Sequence, residues 1–116
     1  MSEERLRGLN RVTLIGRLGR RPEMRYTPTG KPVTSFSIVM PLASTSPEGE
    51  QQTEPDWFNV VAWGSLAELC KQTLNKDQLV YVEGRIRTRR WQDAAQTVHS
   101  QAEIVAHSIF SLAIPS

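Results

Sequence analysis

The sequence is poor in the residues that most chemical sites require. Its 116 residues include one cysteine, Cys70, and two histidines. A single cysteine excludes an intrachain disulfide and a cysteine-rich zinc site, and it fits a reducing intracellular setting. His99 and His107 lie eight residues apart with no acidic pattern beside them, so structural or surface roles are expected for both. We therefore predict a protein without a metal or other cofactor.

Long apolar runs and catalytic motifs are also missing. No apolar stretch approaches the roughly 18 residues that a membrane-spanning helix needs, and no signal-like apolar segment follows the charged N-terminus. The sequence has no glycine-rich phosphate loop followed by Lys, no nucleophile elbow and no zinc-hydrolase helix. The carboxylates between Glu48 and Asp56 fall in or beside a polar loop, which gives an acid–base pair no rigid frame. These absences predict a non-enzymatic, cytoplasmic protein with no membrane partner.

The cationic residues are distributed unevenly. The net charge is only +2, yet residues 1–40 hold eight Arg or Lys against three Glu. A second group, Arg87, Arg89 and Arg90, stands directly before Trp91. Arginine suits phosphate groups and stacks on aromatic rings, so clustering is more informative than net charge. The alternative, that these charges only form a solvated face, stays open on composition alone.

Alternating apolar residues predict five strands and one helix. A chain of this length is expected to form a single domain. Ser65 and Glu68 have capping-box spacing, which predicts the helix over 65–74. A short edge segment is predicted at 23–27, and the last strand is expected to bend near Ala106 and His107. The predicted strands are 9–18, 33–42, 56–63, 79–87 and 98–112.

The remaining segments are predicted to be loops or ends. They are a flexible N-terminus at 1–8, a mobile loop at about 43–55, a polar hairpin loop at 92–97 and a short C-terminal end at 113–116. Three strands, one helix and two strands follow the order of an OB-fold, an all-β, five-stranded barrel with one short helix. The strand face and loops of this fold bind oligonucleotides and oligosaccharides. An SH3-like barrel and a small sandwich are the alternatives.

The strand at 56–63 carries two tryptophans whose direction can be predicted. Odd-numbered positions from Trp57 to Trp63 share one face, whereas Phe58, Val60 and Ala62 supply an apolar face opposite. One domain can hardly bury both faces, so the tryptophans are expected to point outward. They lie roughly 20 Å apart at about 3.3 Å per residue, enough to contact separate nucleotides of one strand.

A row of cations on the next strand ends in the third tryptophan. Arg85, Arg87, Arg89 and Trp91 alternate, and they would share a face if strand geometry continues into the hairpin. Stacking and cation–π contacts gain from both residue types, which favours a track for a nucleic-acid backbone over a merely solvated face.

Four sequence motifs occur in order over about residues 8–112. They are LNRVTLIGRLG at 9–19, PEMRY at 22–26, DWFNVVAWG at 56–64 with Leu-Ala-Glu at 66–68, and VYVEG at 80–84 continuing to RTRRW at 87–91. Together they strongly resemble the bacterial single-stranded DNA-binding protein family. The resemblance implies an OB-fold that assembles as a homotetramer and binds single-stranded DNA with little sequence preference in replication, recombination and repair.

The resemblance also implies roles for individual residues. Trp57, Trp63 and Trp91 fall on base-stacking positions of the family, Trp63 standing where Phe is frequent. The surface around the first strand and Tyr81 packs against other subunits in the family, which would explain the apolar Ile15 on the outer face. The cationic positions that match are Arg87, Arg89 and Arg90 on the basic hairpin, with Arg25 and Lys76 near the DNA path.

Three departures from the family limit what the resemblance implies. The stretch 41–45 has no Trp where another stacking ring is frequent, and Ser65 replaces a usual Lys. The family's disordered linker and acidic tip have no counterpart before Ser116, so tail-dependent recruitment of replication and repair proteins is not predicted. The chain is either a truncated form or a tail-less paralogue. A primosomal-type OB-fold replication factor and an OB-fold protein-interaction module are the alternative functions.

Overall fold

The computed structural model describes residues 8–40, 44–45, 51–52 and 54–112. The predicted end at 113–116, all but Gly8 of the predicted flexible N-terminus and most of the predicted loop at 43–55 lie outside these ranges. The described elements are β1 (Val12–Leu18), β2 (Glu23–Tyr26), β3 (Pro32–Met40), β4 (Ser44–Thr45), β5 (Gln51–Gln52), β6 (Asp56–Trp63), α1 (Ser65–Thr73), β7 (Leu79–Gln92) and β8 (Val98–Ser111).

Five strands form a closed ring of hydrogen-bonded neighbours. The order is β1-β7-β8-β6-β3, and β3 pairs back with β1 through Val39 opposite Arg17 and Ile38 opposite Leu18. β6 and β8 run parallel over two residue pairs, whereas the other pairs in the ring are antiparallel. β2 extends the sheet as an edge strand on β3, and β4 pairs with β5. This ring with one short helix is an OB-fold, as the order of elements predicted.

The first strand is shorter than the sequence pattern predicted, because a side chain takes over the pairing ahead of it. β1 begins at Val12, and the Asn10 amide bonds the backbone of Ile86 twice: its Nδ2 donates to the carbonyl at 2.7 Å and its Oδ1 accepts from the N–H at 2.8 Å. The Asn10 side chain therefore satisfies the Ile86 backbone groups in place of a ladder partner.

The helix lies where it was predicted, but the predicted capping box does not form. Gly64, with φ 66°, is the N-cap residue, and no side chain bonds the first turn. The helix packs on β3 through Thr34, whose buried hydroxyl donates to the Ala67 carbonyl at 2.7 Å. This bond stabilises the helix against the sheet and satisfies a polar group that burial would otherwise make costly.

The pairing of the two longest strands is irregular at the place where the sequence predicted a bend in the last strand. β7 and β8 pair along their whole length, but the register shifts so that Glu83 faces Ser108 and Gly84 faces Ala106. His107 is left without an opposite residue, which is the arrangement of a β-bulge. The pairing of β7 with β1 ends at Gly84, beside this bulge, whereas β8 still pairs with β6 on the hairpin side of it.

The core fills the ring and is covered by one face of the helix. Cys70 belongs to it, and burial raises the pKa of its thiol to about 11, so the thiol is neutral at ordinary pH. The buried apolar residues in contact are Leu18, Phe36, Ile38, Val60, Ala62, Cys70, Leu74, Val80, Val82, Ile104, Ala106 and Ile109.

Candidate nucleic-acid interface

The outward face of β6 carries the two tryptophans, as alternation predicted. Val60 and Ala62 are fully buried, whereas Trp57 is 55% exposed and Trp63 is half-buried. β3 supports the strand on one side, with Val39 opposite Trp57 and Val33 opposite Trp63. Because both edges of β6 pair with other strands, the rings are held on a rigid sheet rather than on a loop.

Trp57 rests on the backbone at the end of β1. A methyl group added at Gly19 would lie 2.6 Å from the Cζ3 atom of the indole and 2.9 Å from a methyl of Val39. Any larger residue at position 19 would therefore displace the ring. Position 19 entered the sequence analysis only as the last residue of the motif at 9–19, and its contact with Trp57 forms only when β1 meets β3.

A basic groove crosses the sheet beside Trp63. Its cavity volume is about 370 Å³, and five strands contribute to its walls. It brings three predicted cations and a predicted ring together although they are up to 64 positions apart in the chain. The groove is lined by Arg25, Tyr26, Thr27, Pro28, Val33, Val61, Trp63, Arg87, Arg89 and Glu103.

Arg87 is held at the floor of this basic groove by an acid that the sequence reading did not single out. Its Nη2 atom lies 3.2 Å from Oε1 of Glu103, whose side chain is only 7% exposed. The two residues face each other across β7 and β8. A buried carboxylate requires a partner, so part of the positive charge of Arg87 is already neutralised. Arg25 and Arg89 are the exposed cations of the groove.

The hairpin of β7 and β8 extends beyond the ring and carries the remaining predicted residues. β7 continues to Gln92, so Arg85, Arg87, Arg89 and Trp91 do share one face. The Arg89 guanidinium lies 5.1 Å from the centre of the Trp91 ring. Arg90 is exposed on the opposite face of the strand.

Lys76 does not join the other predicted residues. It lies in the turn between α1 and β7, at the opposite end of β7 from the hairpin. It is exposed and lines none of the cavities near the tryptophans. Its role near a DNA path stays a prediction.

Two further side chains of the site were missed in the sequence. Tyr26 is 59% exposed and lines the basic groove, and the ammonium group of Lys31 lies 5.5 Å from the centre of the Trp63 ring. The motif at 22–26 contained Tyr26, and its place before a turn could have indicated an exposed ring. The contact of Lys31 with Trp63 depends on the pairing of β3 with β6, which the order of residues in either strand does not indicate.

Trp57 borders a second, more apolar cavity of about 290 Å³. Phe58, Ile86 and Ile104 contribute to its walls, and Glu103 lies between this cavity and the basic groove. The rings of Trp57 and Trp63 therefore lie along one continuous surface with two depressions.

Within the ranges that the structure describes, no helix is long and apolar enough to cross a membrane. The same ranges contain no group of three or more His, Cys, Asp or Glu side chains that could hold a metal ion.

Comparison with known proteins agrees with the fold and identifies the family. Residues 9–112 match the model of the single-strand binding protein family. The chain is 45% identical over 87 residues to single-stranded DNA-binding protein 1 of Chlorobaculum tepidum, covering 75% of this chain and 54% of that protein. It is 43% identical over 101 residues to the single-stranded DNA-binding protein of Caldanaerobacter subterraneus, covering 87% and 66%.

Solved structures show the same architecture. The Plasmodium falciparum SSB complex with ssDNA superposes with a TM-score of 0.83 at 27% identity, covering 97% of this chain and all of that one. A deletion mutant of the single-stranded DNA binding protein from Thermus aquaticus gives a TM-score of 0.79 at 36% identity, covering 92% and 52%.

An OB-fold with outward tryptophans beside a basic groove defines a protein of the oligonucleotide-binding class. Within that class, the chain belongs to the single-strand binding protein family, whose members are non-enzymatic DNA-binding proteins. It spans between 54% and 66% of the length of the curated relatives described above.

Proposed function

We propose that this chain binds single-stranded DNA without sequence preference and protects it during replication, recombination and repair. The observation that carries the proposal is the basic groove, where Arg25, Arg87 and Arg89 surround the half-buried ring of Trp63. Cations beside a ring can hold phosphates while a base stacks, and neither contact reads the base sequence. The curated relatives named above and the Plasmodium complex support the same ligand.

The proposed path runs from Trp57 across the basic groove to the hairpin. Trp57, Trp63 and Trp91 supply the stacking surfaces. Arg25 and Arg89 reach phosphates from the groove, Arg90 from the other face of the hairpin and Lys76 from the turn before β7. Arg87 contributes less charge than its position suggests, because Glu103 holds it. The setting that we propose is the cytoplasm, at the nucleoid.

Titration with oligo-dT, followed by tryptophan fluorescence, tests this function. We expect strong quenching by oligo-dT and little by duplex DNA of the same length. If about four phosphates are neutralised by each chain, the logarithm of the association constant falls with the logarithm of salt concentration at a slope of about −3. Arg89→Gln is expected to reduce that slope by about 0.7.

His107→Gln provides the control for Arg89→Gln, because His107 lies at the bulge, away from the basic groove. For His107→Gln, the slope of the logarithm of the association constant against the logarithm of salt concentration should equal that of the parent protein. Unchanged emission on adding oligo-dT would contradict the proposal. The protein-interaction module would then be favoured, with the tryptophans covered by a protein partner.

We further propose that the chain forms a homo-oligomer through an apolar row across β1, β7 and β8. The row consists of Ile15, Tyr81 and Phe110, which stand opposite one another in the register of the three strands. Ile15 is 53% exposed and Phe110 59%, and the Tyr81 and Phe110 rings lie 5.9 Å apart. Two exposed apolar side chains beside the partly buried Tyr81 ring are expected to be covered by a second copy.

Sedimentation of Phe110→Glu tests this interface, since a carboxylate in the row would have to be buried between copies. We expect the unmodified protein to sediment as a tetramer and Phe110→Glu as a smaller species. Leu69→Glu, which changes an exposed apolar residue on α1, should leave the assembly intact. A dimer for the unmodified protein would favour the primosomal-type alternative, and equal sedimentation of both variants would refute the interface.

A further inference from the structure

The turn of the β7–β8 hairpin is organised around one carboxylate. The Oδ1 atom of Asp93 accepts hydrogen bonds from the backbone N–H groups of Ala95, at 2.9 Å, and Thr97, at 3.0 Å. The Asp93 backbone also bonds Thr97 and Gln96 across the turn. Because these bonds close the turn, the Asp93 carboxylate has a fixed position relative to both strands.

The other oxygen of this carboxylate is directed at His99. Nε2 of His99 lies 2.7 Å from Oδ2 of Asp93. The hydrogen bonds from His99 and then from the turn backbone hold the pKa of Asp93 below its usual range, so Asp93 is ionised at neutral pH. An ionised carboxylate at this distance restrains the orientation of the imidazole.

The oriented imidazole stacks on a predicted DNA-binding ring. His99 stands directly opposite Trp91 in the register of the two strands, and the ring centres lie 5.4 Å apart with 20° between the planes. Trp91 is 39% exposed, so part of the indole surface remains open to a ligand. Asp93, His99 and Trp91 thus form a chain of contacts from the hairpin turn to the indole.

We propose that His99 is a positioning residue, which holds the Trp91 indole in the orientation that receives a base of single-stranded DNA. The inference rests on the proposed stacking role of Trp91. An exposed Trp on an extending hairpin would otherwise sample several rotamers, and binding would have to select one of them. Stacked against His99, the ring is ordered before DNA arrives. The sequence predicted only a structural or surface role for His99, whereas this proposal gives His99 an indirect role in DNA binding.

Affinity for oligo-dT measures the effect. Holding one side chain in place corresponds to about two- to tenfold in affinity, so His99→Ala is expected to weaken binding by this factor. The salt slope should not change, because His99→Ala removes no cation that holds phosphate. His99→Phe keeps a ring against Trp91 without the bond to Asp93, and it should recover part of the loss. His107→Ala, the other histidine on β8, should bind as the unmodified protein does.

Fluorescence anisotropy supplies a readout that does not involve DNA. In a Trp57→Phe and Trp63→Phe background, Trp91 is the single tryptophan of the chain. His99→Ala is expected to lower the anisotropy of free protein, and His99→Phe to restore it. If His99→Ala leaves both the anisotropy and the affinity unchanged while Trp91→Ala weakens binding, the inference is wrong and the stacking role of Trp91 stands.

The double variant separates positioning from direct contact with DNA. In a Trp91→Ala background, His99→Ala should cause no further loss of affinity, because its effect passes through the indole. An equal loss in both backgrounds would mean that His99 contacts DNA itself, which overturns the positioning role only. If Trp91→Ala alone leaves affinity unchanged, the proposed stacking at this position fails together with the inference.

Discussion

Replacing Trp57 with Ala is expected to weaken binding of oligo-dT by roughly 5- to 150-fold, the equivalent of about 1–3 kcal/mol for one stacked base. Trp57 is the most exposed of the three tryptophans, and its ring rests on the Gly19 backbone beside Val39. The orientation of the ring is therefore set before DNA binds. The measurement is the dissociation constant from fluorescence titration at fixed salt, using the emission of Trp63 and Trp91.

Two further substitutions show whether the orientation of the ring or its presence matters. Trp57→Phe keeps an aromatic face and should retain most of the affinity. Gly19→Ala leaves the indole in the chain but forces it to move, so it is expected to weaken binding although position 19 itself bears no DNA-binding group. Binding of Trp57→Ala equal to that of the parent would exclude stacking at this position.

Gly84→Ala is expected to lower the free energy of unfolding by about 3 kcal/mol or more, at the upper end of the usual cost of overpacking. A methyl group at Gly84 would come much closer to the Val105 carbonyl oxygen than van der Waals contact allows, and it would approach the Ala106 Cα atom to 3.0 Å. These are backbone atoms beside the bulge in β8, so no rotamer change can relieve the contact. Urea denaturation followed by circular dichroism measures the change.

Gly8→Ala is the matched control, because a methyl group there would lie within 4 Å of no atom of the described residues. Its midpoint of denaturation should equal that of the parent. A Gly84→Ala protein with parental stability would show that β7 and β8 can separate at the bulge. The close approach of their backbones would then contribute little to the fold.

The presence of the strands and the faces toward which their side chains point were predictable, because both depend on neighbouring residues in the chain. Side chains alternate every two residues, so Trp57, Val60 and Trp63 were assigned to the correct faces from neighbouring positions alone. The helix was found in the same way from its apolar spacing. Its predicted capping box failed because Gly64 takes the N-cap position with positive φ, a backbone choice that side-chain spacing does not indicate.

The candidate site was predicted only in part, because its members come from distant parts of the chain. Arg25, Trp63 and Arg89 were each proposed on their own motif, and the structure brings them to one groove. Glu103 was overlooked because an acidic residue in an alternating strand resembles an ordinary surface position. Its pairing with Arg87 follows from the register of β7 and β8, which the hairpin turn determines.

The sequence by itself determined the order of strands and helix along the chain, the outward tryptophans and the family, since each depends on short-range pattern or on motifs in a fixed order. Tertiary structure decided which residues these side chains contact. Trp57 packs on Gly19, Arg87 pairs with Glu103, and His99 lies between Asp93 and Trp91. The first contact requires the ring to close, and the other two follow from the register that the hairpin turn sets between β7 and β8. Both are properties of paired strands, which a single segment read alone cannot specify.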